Sequence, residues 1–149
     1  MYKKILVPVD GSAPSMRGLS EAMKLAKSHG SQLQLVHVVN ELVLGAAETP
    51  PVYMGEVVDA LRAEGKAVLG KAERVVREHA LEPQSVLLES IGGRAADLIV
   101  EQAKQWKADL IVMGTHGRRG LRRLALGSDA DLVVRSSPVP VLLIRGDAA

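Results

Sequence analysis

Short, uninterrupted apolar runs alternate with longer segments in which apolar residues recur every three or four positions. Ile5 to Val9 is continuously apolar, as in a strand covered on both faces, and Asp10, Gly11 and Ser12 break it. Pro14 stands just inside the next segment, where Leu19, Ala22, Met23 and Ala26 form a helical stripe, and Gly30 marks its stop. Leu33 to Val39 reads as a second strand with His37 inside it. The stretch from Asn40 to Met54, with Gly45, Pro50 and Pro51, reads as irregular and is the candidate for an element that responds to ligand. From Glu56 to Ala80, Val57, Val58, Leu61, Val68, Leu69, Ala72, Val75 and Val76 predict a long helix that Gly65 and Gly70 weaken. Ser85 to Glu89 predicts a third strand, ended by Gly92 and Gly93. Ala95 to Lys107 predicts a helix with Ala96, Ile99, Val100 and Ala103 on one face. Leu110 to Met113 is strand four, Asp129 to Arg135 a short helix ended by Pro138 and Pro140, and Val141 to Ile144 a fifth strand.

Five apolar strands separated by helices predict an α/β fold, an open five-stranded parallel sheet with helices on both faces, because parallel neighbours need crossover connections. The Ile5 strand is expected at the centre. Ligands of such sheets bind beyond the carboxyl ends of strands, where the winding direction reverses. Asp10 and Gly114 each follow a strand directly, so both are candidates to line that crevice.

At 149 residues the chain fits a single domain, 1–149, with room for a real core. No Phe, one Trp and two Tyr leave that core aliphatic. The absence of cysteine excludes thiolate chemistry and Cys-ligated zinc, and suits a reducing cytoplasm. A formal net charge of only +2 gives no general basic surface for nucleic acid, so the arginine cluster described below is local. The apolar run after Lys3 and Lys4 is too short for a signal segment or a membrane span, and a cytoplasmic protein is expected.

The chemistry concentrates between Asp109 and Ser137. Strand four ends at Gly114, then come Gly117, a basic stretch with Arg118, Arg119, Arg122 and Arg123, and Gly127 with Ser128. Glycines let backbone N–H groups approach an anion, and a helix starting near Ser128 adds free N–H groups and a positive dipole end. This pattern reads as a phosphate site. The arginines fit either phosphate contact or a solvated loop, and Asp10 fits either ligand contact or a turn at a helix start. Ser128-x-x-Asp131 also has the spacing of a capping box.

The spacing Gly114-x2-Gly117-x9-Gly127-Ser128, with KKILVPVDGS upstream, LVHVV, ADLIVMGTHG and the terminal PVPVLLIR, resembles the ATP-binding type of the universal stress protein family over essentially the whole chain. The resemblance implies a Rossmann-like fold of the adenine nucleotide hydrolase type and an ATP or other adenine nucleotide ligand. It places Pro8, Val9 and Asp10 under adenine and ribose, Val38 as an apolar adenine contact and Met113 against the nucleoside. Gly114, His116 and Gly117 then wrap the phosphates, and Gly127, Ser128 and Asp129 hold their far end.

Asp129 departs from the apolar or small residue usual in the family at this position. A carboxylate there opposes a triphosphate unless Mg²⁺ or the arginines screen it. The chain has no P-loop of the G-x-x-x-x-G-K-(S/T) type and no metal-spaced histidine pair, so hydrolysis is expected to be slow at most. The function expected is a stress-response regulator whose nucleotide occupancy changes conformation or partner choice. The alternatives are a dimeric interaction module that binds no nucleotide, and a slow ATPase. The apolar C-terminal strand, Val141, Leu142, Leu143 and Ile144, is expected at a sheet edge, and the resemblance implies a homodimer joined through it.

Overall fold

The computed structural model describes residues 1–40, 53–90, 92–116 and 126–146. The expectation of a responsive stretch from Asn40 to Met54 therefore falls largely outside the described residues, as do Gly117 and the four arginines of the glycine-rich stretch.

The elements follow in the order β1 (Lys4–Pro8), α1 (Ala13–His29), β2 (Gln32–Asn40), α2 (Met54–Glu78), β3 (Pro83–Ser90), α3 (Ala95–Trp106), β4 (Leu110–Gly114), α4 (Ser128–Ser136) and β5 (Val141–Ile144). The strands form one parallel sheet in the order β3-β2-β1-β4-β5, which puts β1 at the centre and β5 at an edge, as expected. The chain winds outward from β1 through β2 to β3, then returns to the other side of β1 as β4 and β5. Right-handed crossovers place the helices of the two halves on opposite faces. Accordingly α1 and α2 pack with Ile5, Val7, Leu33, Leu35 and Val112, whereas α3 and α4 pack with Leu6, Val36, Ile111 and Met113.

The central strands need no alternation because both faces are covered: Ile5, Leu6 and Val7 are fully buried, as are Ile111 and Val112. Helix α1 starts at Ser12, whose hydroxyl accepts from Ser15 N at 3.3 Å, and ends at Gly30 in the left-handed conformation. At the end of the sheet where α1 stops, opposite Ser12, Asp109 Oδ2 accepts from Lys3 N at 2.8 Å and from Lys4 N at 2.9 Å, while Asp109 N donates to Lys4 O. These bonds, Lys4's before Lys3's, hold the Asp109 carboxyl below its usual pKa and fix the start of β4 against β1.

Several boundaries differ from the periodicity. Strand β3 is longer than Ser85 to Glu89, because it pairs with β2 continuously from Leu33↔Pro83 to Asn40↔Ser90. Pro83 is tolerated there as the first residue of an edge strand. Helix α2 begins at Met54 rather than Glu56, and α3 ends at Trp106 with Lys107 left-handed at its cap. Gly65 is buried where α2 packs against β2 and β3. A Cβ there would sit 2.7 Å from Leu87 Cδ1 and 2.8 Å from His37 Cδ2. Arg62, on the same helix, pairs through Nε and Nη2 with the Glu89 carboxylate of β3, and this hydrogen bonding lowers the Glu89 pKa. Among the described residues no helix is long and apolar enough to cross a membrane.

Candidate functional site

The reversal of winding falls between β1 and β4, whose carboxyl ends deliver Pro8, Val9 and Asp10 on one side and Met113, Gly114, Thr115 and His116 on the other. Val9 still donates its N–H to Val36 O at 2.8 Å, after which the chain leaves the sheet. Asp10 then forms a tight turn: its Oδ1 accepts from Ser12 N at 2.8 Å, and its own N–H donates to Ser15 Oγ at 3.2 Å. The side chain thus serves the turn that starts α1, and it does so at the mouth of the crevice.

The first turn of α1 lies directly on the end of β4. A Cβ on Gly114 would meet the Pro14 carbonyl carbon and oxygen at 2.8 Å, and one on Gly18 would meet Gly114 N at 3.3 Å. Glycine at both positions lets helix and strand backbones touch. Pro14 also reaches Gly146, just beyond β5, where a Cβ would sit 3.2 Å from Pro14 Cγ. The sequence pattern marked Gly114 as a phosphate residue but missed Pro14, Gly18 and Gly146 as its supports. The one available signal was Gly18, which falls on the buried stripe of α1 beside Leu19 and Ala22.

Past Gly114 the chain stays tied to the sheet edge, with Thr115 N donating to Ile144 O at 3.0 Å. Gly127 returns to the same point and donates its N–H to Thr115 O at 2.7 Å. Its φ of −59° suits any residue, but a Cβ would stand 2.9 Å from Thr115 O and 3.3 Å from His116 Cα. The requirement for glycine there is close approach rather than dihedral freedom. This contact closes the stem of the glycine-rich loop and brings the N-terminus of α4 beside β4.

Gly127 is itself the N-cap of α4, without a side-chain cap bond. The capping-box alternative for Ser128 is therefore not realised: Ser128 begins the helix, and the Asp131 carboxylate accepts from Arg135 Nε at 3.1 Å. Asp131 N is used by Gly127 O, whereas Ser128, Asp129 and Ala130 supply the earlier N–H groups of the first turn. Ser128 and Asp129 are both exposed.

His116 has an unusual environment. Its Nδ1 lies 3.1 Å from Thr115 Oγ1, while Nε2 is buried with no hydrogen-bond partner among the described residues. A buried ring nitrogen without a partner costs free energy unless a ligand or water completes it. Met113 is buried and Val38 half-buried, both packed with the α3 and α4 face of the core. Val38 stands two residues beyond the Pro8↔Val36 pair. The structure thus gathers Pro8, Val9, Asp10, Met113, Gly114, His116, Gly127, Ser128 and Asp129 around the β1 and β4 ends, while Gly117 lies outside the described residues. Among the described residues no three His, Asp or Glu side chains cluster as a protein-built metal site would require.

Residues 1–145 match the model of the universal stress protein family. A universal stress protein of Methanocaldococcus jannaschii is 35% identical over 146 residues, covering 97% of this chain and 83% of the relative. Among solved structures, universal stress protein UspA from Lactobacillus plantarum aligns with a TM-score of 0.82 at 30% identity, over 97% of this chain and 98% of its own. A universal stress protein from Archaeoglobus fulgidus, solved in complex with dAMP, aligns with a TM-score of 0.72 at 27% identity, covering 96% and 98% of the two chains.

Proposed function

The chain belongs to the universal stress protein family, and from that premise we propose that it is an ATP-binding, stress-response regulatory protein. The nucleotide lies across the carboxyl ends of β1 and β4. Pro8, Val9 and Asp10 support adenine and ribose, and Val38 and Met113 give the base its apolar contacts. Gly114, His116 and Gly117 surround the phosphates, and the α4 terminus of Gly127, Ser128 and Asp129 holds their far end. The observation that carries this reading is the buried His116 Nε2, without a partner among the described residues, beside a helix start whose first N–H groups suit an anion. The dAMP complex of the Archaeoglobus fulgidus relative supports the ligand class.

The Asp10 carboxylate holds its own turn through Ser12 N–H, which suits a positioning role at the ribose better than proton abstraction at a distant phosphate. Occupancy acts on conformation or partner choice, and it can do so only by stabilising one state more than another. Asp129 joins this scheme as a contact to a phosphate-bound Mg²⁺, since Mg²⁺ commonly takes few protein carboxylates and completes its shell with phosphate and water. The protein works in the cytoplasm as a homodimer paired through β5.

Analysis of nucleotide released from freshly purified, denatured protein tests the ligand class, and an adenine nucleotide near stoichiometric with the protein is expected. Calorimetric titration of ATP with and without Mg²⁺, on wild type and Asp129→Val, tests the metal role. Mg²⁺ should strengthen binding to wild type more than to the variant. Failure of ATP to bind in every combination would favour the nucleotide-free dimeric module, and phosphate release proportional to protein would favour the slow ATPase.

A further inference from the structure

We propose that His37, on β2 and outside the candidate nucleotide contacts, is the positioning residue that fixes the end of β1 and so presents Asp10 to the ligand. The inference rests on the nucleotide-site reading above. His37 is buried, on the face of the sheet covered by α1 and α2, and its Nδ1 lies 2.8 Å from Val9 O. A carbonyl oxygen only accepts, so Nδ1 carries the proton and donates. Val9 is the point where the chain stops following β2: its N–H bonds Val36 O within the sheet, and its carbonyl is taken by the imidazole. The next residue is Asp10, which builds the turn into α1 through Ser12 N.

The ring cannot drift from this contact without moving a helix. On its other side stands Gly65 of α2, where an added Cβ would lie 2.8 Å from His37 Cδ2 and 3.3 Å from Nε2. A close-packed wall behind a hydrogen-bonding ring restricts its rotamers and holds the donor on its acceptor. His37 therefore clamps the Val9 carbonyl between β2 and α2, and the orientation of the Asp10 turn follows from that clamp.

Substitutions separate this role from simple core filling. In His37→Asn the amide nitrogen occupies nearly the place of Nδ1, in His37→Gln it reaches towards Nε2 instead, and His37→Leu fills space without a donor. Calorimetric titration with ATP should show binding about tenfold weaker for His37→Leu and His37→Gln, the loss of one buried hydrogen bond, with His37→Asn within about twofold of wild type. Should His37→Leu fail to fold, the Asn and Gln pair decides. Equal affinity across the folded variants, or His37→Asn as weak as His37→Gln, overturns the proposal.

Amide hydrogen exchange without nucleotide gives a readout that does not depend on ligand. Ser12 N–H should exchange faster in His37→Leu and His37→Gln but not in His37→Asn. If wild type binds no ATP, the nucleotide reading fails, and the exchange result alone then judges the clamp: unchanged Ser12 exchange in all variants overturns it.

Discussion

On α2, Gly65 and Gly70 look alike in the sequence and differ in what stands opposite them. An added Cβ at Gly70 meets nothing within 4 Å, so Gly70→Ala should stabilise the protein by about 0.5–1 kcal/mol through helix propensity alone. At Gly65 the same methyl group would enter the space of His37 and Leu87, and Gly65→Ala should destabilise by about 1–3 kcal/mol despite the same propensity gain. Urea denaturation of the two variants checks both, and a stabilising Gly65→Ala would mean that α2 can move off the sheet freely. Periodicity treats both glycines as weak points of a helix. Only the packing partner, which lies far away in sequence, tells a notch from a defect. The same limit applies to Gly127, whose place in the spacing was legible but whose physical need, a carbonyl 2.9 Å from an absent Cβ, was not. It applies equally to His116, whose neighbours in sequence give no sign that its Nε2 is buried without a partner among the described residues.

At the scale of elements, the aliphatic runs made the strands and their order of use readable, because a doubly covered strand has no polar face to disguise it. Less legible were features set by pairing between distant segments: the full length of β3, the cap of α4, and the tie between the starts of β1 and β4. Asp109 makes that tie by accepting two backbone N–H groups, which lowers its pKa. A carboxyl with a depressed folded pKa stabilises the fold fully above its unfolded value of about 3.9, and loses that contribution as pH falls through the folded value. Asp109→Asn should therefore be less stable than wild type at pH 7. The difference in denaturation midpoint should shrink as pH falls below about 4, where the wild-type carboxyl also begins to protonate. A gap that stays constant down to pH 2 would mean that the carboxylate charge contributes nothing to the tie.

For the molecule as a whole, the sheet has one strongly apolar edge, β5, with Leu142 exposed, and Val134 of α4 is exposed as well. Apolar edges of this kind invite pairing with another chain unless a charge is placed on them. Leu142→Lys should convert the proposed dimer to a folded monomer in light scattering after size exclusion, whereas a dimer that persists would place the interface elsewhere. The fold class and the central strand could be read from the order of apolar runs and glycines, and the same order named the strand ends at which the nucleotide site is proposed. Which polar atoms at those strand ends the described residues themselves satisfy required the three-dimensional arrangement. The most direct measurement of the central claim is the change in backbone amide shifts during titration with ATP. The account predicts saturable changes at Asp10, Gly114, His116, Gly127 and Ser128, with Lys3 and Asp109 at the opposite end of the sheet unmoved. No saturable change, or changes centred on Lys3 and Asp109, would contradict it.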